Sequence, residues 1–278
     1  MCGRYVLKSQ DLAALLIQLG VTDPHEFTSR YNIAPSTPIP TLRTTTAQRR
    51  ELAIMQWGLI PSWSKHPATG ARLANARAEG IATKPAFRHA FRSRRCVVPA
   101  SGFYEWQTCD RRKLPWYFQM HDERPCLLAA IWETFRGPDG STHTTCALIT
   151  TTPNEVVRPL HDRMPVILRE AALDVWLDPS VTTSDALTPL LTPLPAPLMK
   201  ASPVSTRVNQ VRHEGSDCLL PAPAPTTGSP QARTDGRGEG EDGRPAPAPT
   251  TGSPQARTAA LRPDLTVPPS PQLAFDFE

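Results

Sequence analysis

The sequence predicts a strand-rich α+β domain followed by a disordered Pro/Gly-rich C-terminal tail. Three observations carry this. Short runs rich in β-branched and aromatic residues recur between Gly, Pro and Asp, which is the pattern of strands separated by turns. Strands and helices do not alternate regularly, which argues against a doubly wound parallel sheet. The composition then breaks at position 221, after which 58 residues contain 12 Pro and 6 Gly and only two aromatics, Phe275 and Phe277. Such a segment buries too little apolar surface to offset the entropy of ordering it. One globular domain is therefore set at 1–220 and a tail at 221–278, which excludes two packed domains of comparable size.

The elements follow in chain order. Ser9, then Leu12, Leu15, Leu16 and Leu19, then Gly20 reads as an amphipathic helix with Ser9 as its N-cap and a glycine stop. Strands are predicted at 52–57, 96–99, 103–107, 115–120, 126–132, 144–151 and 165–168. The pair 103–107 and 116–120 forms a hairpin around a polar loop at 109–113. Helices are predicted at 83–94, 170–177 and 184–191. In the tail, PAPAPTTGSPQART stands at 221–234 and again at 245–258. Two copies do not make a solenoid, so the repeat reads as a duplication within a linker.

Charge narrows the function classes only a little. The domain carries 25 Lys+Arg against 19 acids, and the tail 5 Arg against 7 acids. A net +6 is compatible with nucleic acid and with many other soluble enzymes. Arg88, Arg92, Arg94 and Arg95 cluster as a charge run, whose ordinary fate is a solvated helix end. No run approaches the roughly 18 apolar residues that span a bilayer, and no signal-peptide pattern precedes the domain, so a cytosolic protein is expected. Six scattered cysteines without a CxxC pair point to free thiols in a reducing compartment. Cys96, Cys126 and Cys146 lie in apolar runs and read as small core residues. No histidine spacing suggests a metal site, and no cofactor is implied.

Cys2 is different because of where it sits. Loss of Met1 would leave it with a free α-amine beside its thiol, with reference pKa values of about 8 and about 8.5. A 1,2-aminothiol condenses with an aldehyde to an imine and then closes to a thiazolidine. It also suits amide attack with the amine as base. Three further blocks place polar groups among apolar runs. Asn75, Arg77 and Glu79 occupy alternate positions and share one face if extended. Glu105 lies between Tyr104 and Trp106, where desolvation would raise its pKa toward neutrality. His161 is followed by Asp162, the pairing of a proton shuttle. Each block also fits an ordinary turn, ion pair or loop. Trp63, after a Pro-Ser turn, suits either a lid or stacking on unpaired bases.

Taken together, MCGRY at the N-terminus, RYNIAPS at 30–36, WGLIPSW at 57–63, NARAE at 75–79, SGFYEW at 101–106, HDRMPVIL at 161–168 and PVSTRVNQV at 203–211 resemble the SOS response-associated peptidase family. The resemblance covers about 1–220. It implies a barrel-like core with flanking helices and a basic cleft. It also implies capture of abasic sites in single-stranded DNA as a thiazolidine on Cys2, removal of Met1, and strand-cleaving lyase chemistry. By motif position, Asn75 holds the new ring, Glu105 is the acid/base, and His161 assists proton transfer. Arg4, Arg77 and Arg163 are expected on phosphates, which gives affinity without sequence readout, and Pro35 and Trp63 at the lesion. Where some members carry a second aromatic after this Trp, the chain has Ser64.

Two other classes remain open on sequence alone. An N-terminal-nucleophile amidohydrolase also begins Met-Cys-Gly, although Arg4 replaces the apolar residue usual there. A non-covalent single-stranded-DNA binder would not need Cys2. At the tail tip, Gln272 with Phe275 and Phe277 resembles a sliding-clamp peptide, with Phe275 where leucine is usual, so the tip reads either as a clamp-binding segment or as an inert tail.

Overall fold

The computed structural model describes residues 2–22, 27–109 and 112–222. All of them lie in one compact unit, Met1–Thr226. The duplicated segment beyond 222 and the clamp-like tip, both assigned to the tail, lie outside the described residues.

Strand β1 (Tyr5–Leu7) leads into helix α1 (Ser9–Gln18), then β2 (Arg30–Ile33), β3 (Pro38–Thr44), β4 (Arg50–Trp57) and β5 (Asn75–Arg77). Helix α2 (Arg88–Ser93) precedes β6 (Arg95–Ala100), β7 (Gly102–Cys109), β8 (Arg112–Met120), β9 (Cys126–Arg136) and β10 (Thr142–Thr151). The two-residue strands β11 (Met164–Pro165) and β12 (Ile167–Leu168) are followed by α3 (Glu170–Leu177), α4 (Ser184–Leu187) and β13 (Met199–Pro203).

Strands β4, β3, β6, β9 and β10 close into a ring. Each pairs with the next antiparallel, except the parallel β4–β10 contact that completes the circle. Closure removes free edges from this five-stranded barrel. A second, open sheet runs β13-β8-β7-β1-β2. The α+β class and the barrel-like core with flanking helices are thus as the sequence implied.

Side-chain alternation sorts the residues into three cores. Cys126, Leu128 and Ala130 of β9 join Phe103 and Phe118 of the open sheet in one. Leu127, Ala129 and Ile131, one residue out of phase, pack with Phe91 of α2 and Trp176 of α3 in another. This double burial explains why β9 reads as a continuous apolar run instead of an alternating one. The outer face of the open sheet (Val6, Tyr104, Tyr117) forms a third core with Val204, Val208 and Cys218.

All seven predicted strands are present, although 165–168 is broken at Val166 into β11 and β12. The hairpin is tighter than expected, because its ladder continues to Cys109 and Arg112. Helix 83–94 shortens to Arg88–Ser93, and 184–191 finishes as a 3₁₀ turn after Leu187. Ser9 is not the N-cap of α1. That position falls to Lys8, while the Ser9 hydroxyl lies 3.0 Å from that of Ser29. Gly20 does stop the helix region, at φ +64°. Strands β1, β2, β3, β5 and β13 were not predicted. Pro38 and Pro40 disguise β3, and the other four are too short for a periodic signal.

The charge run at 88–95 is only partly solvated. Arg95 is buried and donates to the carbonyls of Trp176, Phe91, Arg92 and Asp178, so it closes the C-terminal turns of α2 and α3. Arg94 pairs with Glu133 at 2.6 Å. Cys96, Cys126 and Cys146 are buried core residues, as expected. Among the described residues, no helix is long and apolar enough to cross a membrane.

Gly102, at the start of β7, marks a close approach of strands. A Cβ there would lie 2.4 Å from the Phe118 carbonyl oxygen and 2.5 Å from Tyr117 Cζ. Gly102→Ala is expected to destabilise the domain by about 2 kcal/mol, read as a lower urea midpoint at unchanged m-value. An unchanged midpoint would contradict this packing.

Candidate functional site

Four of the residues singled out by chemistry are brought together. Cys2 precedes β1 and is buried in the core between the two sheets. Asn75 opens β5, which lies parallel to the end of β10, and its Nδ2 donates to the Cys2 carbonyl at 3.0 Å. Its Oδ1 is buried without a hydrogen-bond partner. Glu105 lies on β7, 3% exposed. His161 Nε2 stands 4.0 Å from Glu105 Oε2.

The electrostatics of these groups differ from those of free side chains. Burial raises the Glu105 pKa to about 7, and the Asp162 carboxylate adds to this. A carboxyl with that pKa exchanges protons at neutral pH. Tyr104 and Trp106, however, do not bury it. They project to the opposite face, into the third core. Glu105 shares its face with Phe103, as the two-residue period of a strand requires.

Burial also raises the Cys2 thiol well above its ordinary value, with a further contribution from Glu105. The reference value of about 8.5 leaves some thiolate at neutral pH, and burial removes it: the group is a desolvated thiol whose reaction would need a proton acceptor. For His161, burial lowers the pKa and favours the neutral ring. The Arg163 backbone N–H donates to its Nδ1 at 2.9 Å. The Arg163 carbonyl oxygen lies 3.2 Å from the same Nδ1, but the shorter contact is with the N–H, which favours an accepting Nδ1 and a ring proton on Nε2, toward Glu105. Asp162 Oδ1, 3.0 Å from Nδ1, becomes the partner only once the ring is protonated there.

The residues expected on DNA are more scattered. Trp63 is 64% exposed in a turn. Pro35 is half-buried, just before Ser36, which adopts φ +69° and donates its N–H to the Trp57 carbonyl at 2.7 Å. Arg77 is exposed on β5. Arg4 is largely engaged: it donates to Asn32 Oδ1 (2.7 Å) and the Val208 carbonyl (3.0 Å), with its guanidinium 5.8 Å from the Trp106 ring centre. Arg163 is buried and pairs with both oxygens of Glu79, at 2.6 and 3.0 Å.

Glu79 does not continue the alternation of Asn75 and Arg77, because the chain turns into a 3₁₀ helix at Ala78. Thr150 was not foreseen. It faces Arg77 on one side and Pro165 on the other, and its carbonyl accepts from Arg163 at 2.6 Å. Nothing in one threonine among the five of β10 signals this. His213, Asp217 and Cys218 place three ligand-type atoms within 4.8 Å of one another. Asp217 is already paired with His213 and Arg207, a network that ties down the segment after β13.

The barrel and the open sheet bury Cys2 against the carboxamide of Asn75, with the Glu105 carboxyl and the His161 imidazole facing each other at the same site. Comparison makes the assignment specific. Residues 1–211 match the family model described as SOS response associated peptidase (SRAP), and the chain belongs to that family. It is 37% identical over 223 residues to "Abasic site processing protein YoqW" of Bacillus subtilis, covering 79% of this chain and 99% of that one. It is 28% identical to "Abasic site processing protein YedK" of Escherichia coli, covering 80% and 100%. It is 30% identical to "Abasic site processing protein HMCES" of Xenopus tropicalis, covering 71% and 67%. A crystal structure of a Bacteroides thetaiotaomicron protein shares the fold, with a TM-score of 0.71 at 24% identity over 80% of this chain and all of that one.

The raised Glu105 pKa has a stability consequence. Its folded-state value lies above its unfolded one, so stability present below about pH 4.5 is lost as pH rises to about 7. Glu105→Gln is expected to be the more stable protein at pH 8, by up to about 3 kcal/mol, with the advantage vanishing near pH 4.5. Parallel melting curves at both pH values check this.

Proposed function

We propose that this chain is a DNA-repair enzyme that captures abasic sites in single-stranded DNA covalently through Cys2. The observation that carries the reading is the assembly of Cys2, Asn75, Glu105 and His161 at one buried point. The names of the relatives, abasic site processing proteins, support the substrate class.

The chemistry follows from the groups present. Removal of Met1 bares the Cys2 amine, and Glu105 is suitably placed to serve that hydrolysis. An abasic sugar exists mainly as a ring-closed hemiacetal. A carboxyl with a pKa near 7 can shuttle the proton that opens it to the aldehyde. The amine adds to the carbonyl and water leaves, giving an imine. The thiol then adds across the C=N bond: sulfur bonds to carbon and its proton ends on nitrogen. Because the thiol is desolvated, transfer of that proton through Glu105 is what makes it nucleophilic. Asn75, with an unused Oδ1, can accept a hydrogen bond from the ring N–H. The thiazolidine lacks the imine that drives β-elimination, so the strand is protected. His161, carrying its proton on Nε2, would assist transfer, including any lyase step.

Arg77 and Trp63 are exposed, and suit phosphate contact and base stacking. Arg4 would reach DNA only at the edge of its existing contacts, and a phosphate would have to compete with Glu79 for Arg163. Pro35, on its strained turn, would wedge beside the lesion.

A denaturing gel of protein with an abasic oligonucleotide tests the reading. A slowly migrating species that vanishes in Cys2→Ala is expected. Asn75→Ala should reduce its yield, and Glu105→Gln should slow its reversal at neutral pH by about a hundredfold, the typical worth of a general acid–base. Absence of any Cys2-dependent band sinks the proposal.

The tail tip, with Gln272, Phe275 and Phe277, would deliver this activity to replication forks by binding the sliding clamp. Titration of a peptide of the last ten residues against the clamp should give saturable binding that is lost when both phenylalanines become alanine.

A further inference from the structure

We propose that Glu79 is a positioning residue for His161 and acts through Arg163. The inference rests on the reading of His161 as a proton carrier, but its geometry stands by itself.

The turn from His161 to Arg163 is held at its start by the His161 N–H on the Val157 carbonyl, 3.0 Å, and at its end by the buried Met164. Asp162 between them is largely exposed, and β11, which follows, is only two residues long. The guanidinium of Arg163 is the side-chain anchor of the turn. It is buried, donates to both carboxylate oxygens of Glu79, and reaches the Thr150 carbonyl. A bidentate arginine–carboxylate pair fixes the plane and direction of both partners, which a single hydrogen bond does not. The backbone N–H of the same residue is the donor to His161 Nδ1. The carbonyl oxygen of Arg163 lies 3.2 Å from the same nitrogen, so fixing the Arg163 side chain fixes both backbone groups whose balance selects the imidazole tautomer. The shorter N–H contact favours the proton on Nε2, the nitrogen that faces Glu105.

Glu79 also lies four residues after Asn75, in the turn that ends β5. One carboxylate thus ties the block that holds Cys2 to the block that carries the imidazole. The Arg163 hydrogen bond holds the Glu79 pKa below its ordinary value. Glu79 stays ionised where Glu105 changes protonation, so it steadies the site without titrating alongside that carboxyl.

The test uses the full chain and two readouts. Long-range ¹H–¹⁵N correlation of the histidine rings, without DNA, reports the His161 tautomer. Wild type is expected to show Nε2 protonated and Nδ1 unprotonated. Glu79→Ala should shift both nitrogens toward an average of tautomers, and Glu79→Asp should restore most of the wild-type signature. In the second readout, crosslink reversal should slow by about tenfold or more in Glu79→Ala, as expected for a displaced proton carrier, without weaker affinity for the undamaged oligonucleotide. Glu79→Gln, which keeps the shape and one acceptor, serves if the alanine variant does not fold, and should fall between the two.

An unchanged His161 signature in both Glu79→Ala and Glu79→Gln overturns the proposal, as does an altered signature with unchanged reversal. A wild-type chain that forms no crosslink defeats the proposed function instead, and leaves the tautomer result to decide the role of Glu79.

Discussion

The carboxyl of Glu105 occupies the inward face of β7, between two sheets that otherwise bring Phe103, Phe118 and Leu128 to the same side. Water is excluded there, so the charged form is disfavoured and the proton is held to near neutrality. The rest of the site depends on this. A carboxyl at its ordinary value would be fully ionised and could not donate. Moved to the opposite face, it would meet the tyrosines of the third core and lie away from Cys2. The fold accepts an ionisable group where an apolar one would be more stable, a common trade at sites of chemistry.

Cys2 obeys the same rule with the opposite consequence. Its burial makes the thiol less acidic, so its reactivity cannot come from a standing thiolate. In the proposed reaction, proximity and a shared proton would supply it. Desolvation thus couples the two groups: the environment that keeps the thiol protonated also keeps a nearby carboxyl able to take that proton. The imidazole completes the set in its neutral form, oriented by a backbone N–H.

Strand β10 arranges these parts in space. Its interior closes the barrel against β4 and β9. Its last residues pair with β5 on one side and β11 on the other, so Thr150 stands between Arg77 and Pro165. Asn75 and the His161 turn are 86 positions apart in the chain and become neighbours because both flank this one strand end. The Glu79–Arg163 pair bridges the same gap from the side-chain level.

Strands β4 and β6 to β12, the hairpin and helix α3 were legible in the sequence, because β-branched runs, turn residues and helical spacing are local signals. So were the ordered motif blocks and hence the family, together with the three residues gathered around Cys2. The short strands β1, β2, β5 and β13 were not, since three to five residues carry no measurable period. Ring closure, the facing of Tyr104 and Trp106 away from Glu105, and the engagement of Arg4 and Arg163 were also beyond reach. Each is set by residues distant in the chain: a strand's inward face is defined only by what packs on it, and an arginine's freedom only by which carboxylate or carbonyl the fold brings within reach. The sequence by itself determined which chemical groups the protein has and which family it belongs to. Tertiary structure decided their protonation and orientation, because desolvation and hydrogen bonding act through space.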